Sequence, residues 1–142
     1  MSNIVFHKYE KAKFWTDSGI LFCEFYNKDV NHKLSVETVK KYIETIKEIS
    51  KGKSMPFLID VRNSLGTFSI AAAELFANST DLKRIRLSEA FIVNSINVKL
   101  LISSYKRIYE PITPFQFFNN KQKAIQYCIE SKRSFYADKN RR

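Results

Sequence analysis

Three short segments of this chain are apolar along nearly their whole length: Phe57 to Asp60, Ala90 to Val93 and Phe115 to Phe118. Each is followed by a stretch with helical spacing. Strands without polar alternation are buried on both faces, and such strands separated by helices mark a parallel α/β sheet. Upstream, residues 4 to 26 read as β structure. There Phe14 to Thr16 and Ile20 to Phe25 flank Asp17-Ser18-Gly19, a three-residue turn in which Gly19 supplies the positive φ of a bulged hairpin. An antiparallel pair therefore opens the fold.

The helical stretches carry their own punctuation. Ser35 is the expected N-cap of the first, with Glu37 at the favourable end of its dipole. Val36, Val39, Ile43, Ile46 and Ile49 face inward, and Lys40, Lys41, Glu44, Lys47 and Glu48 outward. Gly52 ends this helix, and Pro56 heads the next strand, where a missing donor is tolerated. A polar loop is expected from Arg62 to Phe68, then an alanine-rich helix from Ser69 to Ala77 and a shorter helical piece near Asp81 to Arg86. Asn94 to Asn97 turn into a helix whose predicted inner stripe is Val98, Leu101, Ile102, Tyr105 and Ile108. Pro111 and Pro114 bracket the entry to the last strand, and Asn120 caps a closing helix with Ala124, Ile125, Cys128 and Ile129 inward. Residues 132–142 turn basic and polar, and a frayed tail is expected there. The pattern predicts one α/β domain over residues 1–142. Its mixed sheet has four or five strands, an N-terminal antiparallel hairpin and about four helices, on one side or on both.

Composition narrows the function classes. A chain of 142 residues with 44% hydrophobic and 14% aromatic content can bury a core of its own without metal or disulfide. Cys23 and Cys128 lie in apolar runs and read as small buried hydrophobes in a reduced, cytoplasmic setting. The first thirteen residues alternate charged and apolar positions, so neither a signal peptide nor an anchor is expected, and no segment approaches the roughly 20 apolar residues of a membrane span. The net charge of +10 raises the question of an anionic partner, but the basic residues are scattered along the chain, as on a solvated surface. Nucleic acid is disfavoured further because Phe115, Phe117 and Phe118 sit in a strand expected to be buried rather than on a stacking platform.

The element order resembles the STAS superfamily in its SpoIIAA-like branch. The resemblance is carried by Leu58-Ile59-Asp60-Val61-Arg62, Ala90-Phe91-Ile92-Val93, Pro114-Phe115-Gln116-Phe117-Phe118 and Ala124-Ile125, and covers about residues 4 to 131. It implies a SpoIIAA-like α/β fold and a regulatory or interaction module. In characterised antagonists of that superfamily, a serine at the start of the helix after the central strand is phosphorylated. Ser69 is its positional counterpart here. The Asp-Ser-Ser-Gly or Asp-Ser-Thr-Gly signature is not present, and Ile70 and Ala71 stand where its small flexible residue would be.

Open α/β sheets place ligands beyond the carboxyl ends of their strands. The candidate interaction or regulatory site is therefore Asp60, Arg62, Asn63, Ser64, Thr67 and Ser69, with Asn94, Ser95 and Asn97 from the neighbouring loop. The competing reading gives Asp60 and Asn63 turn hydrogen bonds and makes Ser69 only a cap. No catalytic, metal or cofactor site is expected. His7 and His32 stand outside the central α/β segment, no cluster of ligands occurs, and Gly19, Gly52 and Gly66 form no phosphate-binding motif. Two functions fit: a non-catalytic module binding a protein partner, a second copy of itself included, or a small ligand; and a carrier of a lipid-like or apolar ligand. Weak binding of an anionic polymer stands behind both.

Overall fold

Two residues with positive φ close the N-terminal hairpin. Strands β2 (Ala12–Asp17) and β3 (Ile20–Asn27) pair antiparallel with Asp17 opposite Ile20, which leaves only Ser18 (φ 54°) and Gly19 (φ 76°) in the loop. The three-residue bulged turn is thus replaced by a two-residue turn of type I′, whose twist matches that of the flanking strands. This computed structural model describes residues 4–140. A short edge strand β1 (His7–Lys8) pairs with β2 on the outside.

From β3 onward every neighbour is parallel. Strands β5 (Met55–Ser64), β7 (Arg86–Ile92) and β8 (Phe115–Phe118) follow in the order β1-β2-β3-β5-β7-β8, a six-stranded sheet rather than one of four or five. Pro56 sits where the β5–β7 register shifts between Met55 and Phe57, a position that tolerates a residue without an N–H. The polar segment after Val61 is not a loop at first. Asn63 pairs with Tyr26 and Ser64 with Asn27, so β3 carries β5 three residues beyond the apolar run. Only Leu65 and Gly66 then separate β5 from β6 (Thr67–Phe68), which forms a two-stranded parallel ribbon with β4 (Lys33–Leu34).

Helices α1 (Val36–Ser50), α2 (Ile70–Asn78), α3 (Thr80–Ile85) and α4 (Ile96–Tyr109) start at Ser35, Ser69, Ser79 and Ser95, whose hydroxyls accept an amide N–H of the first turn. Helix α5 (Lys121–Asn140) starts at Asn120, whose Oδ1 accepts the Lys123 N–H at 2.9 Å. It continues through most of the segment expected to fray. The strand alternation assigns the faces. Phe57, Ile59 and Val61 look toward α1–α4, with Leu21, Cys23 and Phe91. Leu58, Ala90 and Ile92 look toward Ala124 and Cys128 of α5. Both faces are covered, four helices to one.

Two expected inward positions lie outside. Ile108 of α4 is 63% exposed, and Ile129 of α5 is also exposed. The place on the buried face of α4 is taken instead by Lys106, one turn beyond Ile102 and 2% exposed. Charge pairing, described below, decides that exchange.

Ser18 is the one residue of the hairpin loop with a Cβ in the left-handed region. Ser18→Asn, which gives the Asn-Gly pair that type I′ turns prefer, should raise the unfolding free energy by about 0.5 kcal/mol. A higher urea midpoint at unchanged m checks it, and a lower midpoint would mean that the turn relaxes to another type.

Candidate functional site

Between the sheet and the α1–α4 layer lies a cavity of about 210 Å³. Its walls are mainly apolar, with Phe14, Phe57, Phe91, Tyr42, Phe76 and Tyr105 among the lining side chains. The lining follows β5 from Phe57 to Ser64, eight residues whose seven steps span about 23 Å of strand. A cavity of about 150 Å³ with such walls stays dry and admits benzene. The space therefore suits a somewhat larger molecule.

The roof is the β4–β6 ribbon. Asn27, His32, Ser64, Gly66 and Thr67 line this end, with Thr67 exposed and Ser64, Gly66 and His32 half-buried. Backbone bonds hold the ribbon in place: Leu65 N–H to Asn27 O at 2.9 Å, Thr67 N–H to His32 O at 3.0 Å and Ser69 N–H to Leu34 O at 3.1 Å. Gly66 is required by this close approach, because a Cβ there would fall 2.5 Å from the His32 carbonyl oxygen and 2.7 Å from Asn27 Nδ2. His32, which stands outside the central α/β segment in sequence, thus belongs to the cavity wall.

At the other end the wall is ionic. Arg86 and Glu89 of β7 line the cavity and form a buried quartet with Lys106 and Glu110. Lys106 Nζ donates to Glu89 Oε1 and to Glu110 Oε2. Arg86 Nη2 donates to the Phe76 carbonyl at 2.9 Å, while its Nε and Nη1 stand 3.7 Å from Glu89 Oε2 and Glu110 Oε2. Those two nitrogens make no hydrogen bond. An unmade bond of this kind costs about 1–3 kcal/mol. Burial pushes the Glu89 carboxyl up, against the opposing charges of Lys106 and Arg86. Burial also raises Glu110, but the Lys106 hydrogen bond, the Thr113 amide and the two cations together outweigh it and hold Glu110 below the usual range. Cys23, on the same wall, is pushed well up by burial and stays a neutral thiol.

The residues selected from sequence do not converge on one place. Asp60 and Arg62 point to the α5 side of the sheet and satisfy each other, Nε to Oδ1 at 3.0 Å and Nη2 to Oδ2 at 2.7 Å. The Asp60 hydrogen bond raises the Arg62 guanidinium further still. Asn63 is exposed. Ser64 and Thr67 are at the cavity roof, and Ser69 accepts the Ala72 N–H at 3.0 Å as the α2 cap. Asn94 and Ser95 line a separate shallow depression with Lys99, Asn119 and Lys123, and Asn97 is exposed on the first turn of α4. The Arg86–Glu89–Lys106–Glu110 quartet was missed. Its signal in the sequence was the spacing Ile102, Lys106, Glu110, which continues the buried stripe of α4 with two charges.

Among the described residues, no group of three or more His, Cys, Asp or Glu side chains is placed to hold a metal ion, and no helix is long and apolar enough to cross a membrane. The sequence pattern of a family described as a domain of unknown function, DUF7793, matches residues 14–132. The chain belongs to that family. The fold is similar to the crystal structure of an uncharacterized protein of the DUF3478 family, with a SpoIIAA-like fold, from Shewanella loihica PV-4. The two align over 89% of this chain and 92% of that one, with a TM-score of 0.55 and 15% identity. At this identity the likeness is one of fold, and it gives this chain a SpoIIAA-like architecture. No curated protein matches the sequence.

The quartet makes a stability prediction. Lys106→Met keeps the length of the side chain but leaves Glu89 and Glu110 without their shared hydrogen-bonding cation, so the variant should lose about 3 kcal/mol. Urea unfolding at pH 7 measures it. A loss below about 1 kcal/mol would mean that Arg86 alone holds both carboxylates.

Proposed function

We propose that this chain is a non-catalytic binding module that encloses one small apolar ligand between its sheet and the α1–α4 layer. The observation that carries the proposal is the aromatic-walled cavity of about 210 Å³. Scaled from the volume that holds benzene, it suits a molecule of about eight to ten non-hydrogen atoms. A diacyl lipid is far too large. Of the ligand classes considered from sequence, the apolar small molecule is the one this volume supports.

The roof ties ligand to partner. The ribbon bonds that close the cavity end at Ser69, and Leu65 and Ile70 stand exposed on either side of this segment. A protein partner that docks on residues 60–70 would meet a surface whose order depends on whether the cavity beneath is filled. Ser69 is the first phosphorylation candidate there, with Ser64 and Thr67 behind it. A phosphate at this helix start would meet free amide donors and add about two negative charges without unfolding α2.

Two measurements test the two halves. Toluene at ten times its dissociation constant should raise Tm by about 3–6 °C, the shift expected for roughly 1.4 kcal/mol in a domain of this size. Ala73→Leu, which adds three carbons at a lining position, should abolish that shift, and an equal shift in both proteins would place the binding elsewhere. For a partner recovered from the native host, Ser69→Asp should weaken the complex at least tenfold while leaving Tm within about 2 °C. Unchanged affinity would leave Ser69 as a helix cap and move the interface.

A further inference from the structure

The outer face of α4 is apolar where that of α1, the other long helix of its layer, is charged. On α1 the exposed positions include Lys40, Lys41, Glu44 and Glu48. On α4 they include Ile96, Leu100 and Ile108, which are 75%, 61% and 63% exposed. With the half-buried Ser104 these residues make one row at four-residue spacing along the whole helix. Lys106 fixes the orientation of that row. The rotation that brings its ammonium to Glu89 and Glu110 also turns Ile108 to solvent. An apolar row of this length on the outside of a helical layer marks a contact surface.

Symmetry points to a second copy of this chain as the occupant. Two such rows can run together antiparallel, at the crossing angle of about 50° that rows of four-residue spacing adopt. Ile96 then lies opposite Ile108 of the second copy, and Leu100 opposite its Ser104. The small residue falls beside Leu100 where the axes come closest, and the bulky pairs fall where the helices diverge. A surface that matches itself on reversal is what a two-fold interface requires.

Area and charge set the strength of the contact. The three apolar side chains with the exposed Asn97, Lys99 and Arg107 offer about 600 Å² per copy and about 1,200 Å² per pair, the lower end of specific interfaces. Helix α4 contains no Asp or Glu, so Lys99 and Arg107 of both copies gather along one flank and repel. We propose that this chain forms a weak, reversible two-fold dimer through α4, with Leu100 of each copy seated on Ser104 of the other. The contact is on the outside of the helical layer and does not depend on a ligand beneath it.

Sedimentation equilibrium of the full chain at pH 7, from about 5 to 500 µM, is expected to show a monomer–dimer equilibrium with a Kd of about 1–100 µM. Leu100→Asp and Ser104→Lys, both on the outer row, should each raise Kd at least tenfold while Tm stays within about 2 °C. Lys41→Ala, on the outer face of α1, should leave Kd within twofold. An equimolar mixture of Leu100→Asp and Ser104→Lys should associate at least fivefold more tightly than either variant alone. The reversed rows set the new carboxylate of one chain against the new ammonium of the other. Raising the salt to about 1 M should tighten the unaltered dimer, because it screens the cations on the flank. A dimer that survives Leu100→Asp, a mixture no tighter than its components, or a dimer dissolved by salt would overturn the α4 contact. A chain still monomeric at about 500 µM would overturn the dimer itself and leave the row to a different protein.

Discussion

The handedness of the crossover connection is the constraint on which this molecule depends. Chain passages from β3 to β5, β5 to β7 and β7 to β8 each add the next parallel strand on the same side of the previous one. Right-handed connections made repeatedly in one direction must all run over one face of the sheet. Four helices, of 15, 9, 6 and 14 residues, therefore share that face, and only α5, which follows the last strand, is free to cover the other. The cavity lies under this crowded layer, and the single long helix on the opposite face sets its small residues Ala124 and Cys128 against Trp15, Phe22, Leu58, Ala90 and Ile92.

Much of this was legible because buried parallel strands announce themselves as unbroken apolar runs. Phe57 to Val61, Ala90 to Ile92 and Phe115 to Phe118 are strands in the structure, as expected, and Ser35, Ser69 and Asn120 cap the helices they were expected to cap. Gly19 marked the hairpin, although its turn is one residue shorter. What was not legible depended on partners far away in the chain. Arg62, Asn63 and Ser64 have no strand character of their own, and they extend β5 because Tyr26 and Asn27 offer a parallel edge. The two-residue strands β1, β4 and β6 are too short for any alternation to show.

The candidate site divides in the same way. A cap can be read from neighbouring residues, so Ser69 was expected at the start of α2, where its hydroxyl accepts the Ala72 N–H. The cavity is a property of how four helices fit one surface, and no residue spells it. Lys106 shows the difficulty in a single side chain. A Lys four residues before a Glu on a basic helix reads as a solvated surface pair worth a few tenths of a kcal/mol. Only the presence of Glu89, 17 residues away, turns that pair inward, and Ile108 is displaced to solvent as a result.

The two cysteines lie on opposite sides of the sheet, Cys23 in the cluster under α1–α3 and Cys128 in the cluster under α5. Strand and helix layers pack about 10 Å apart, and a disulfide requires Cα atoms within about 7 Å. Burial holds both thiols in the unreactive protonated form, that of Cys128 pushed up to about 12. The sheet thus acts as an insulating wall between them. An oxidant has no disulfide to close inside the native molecule.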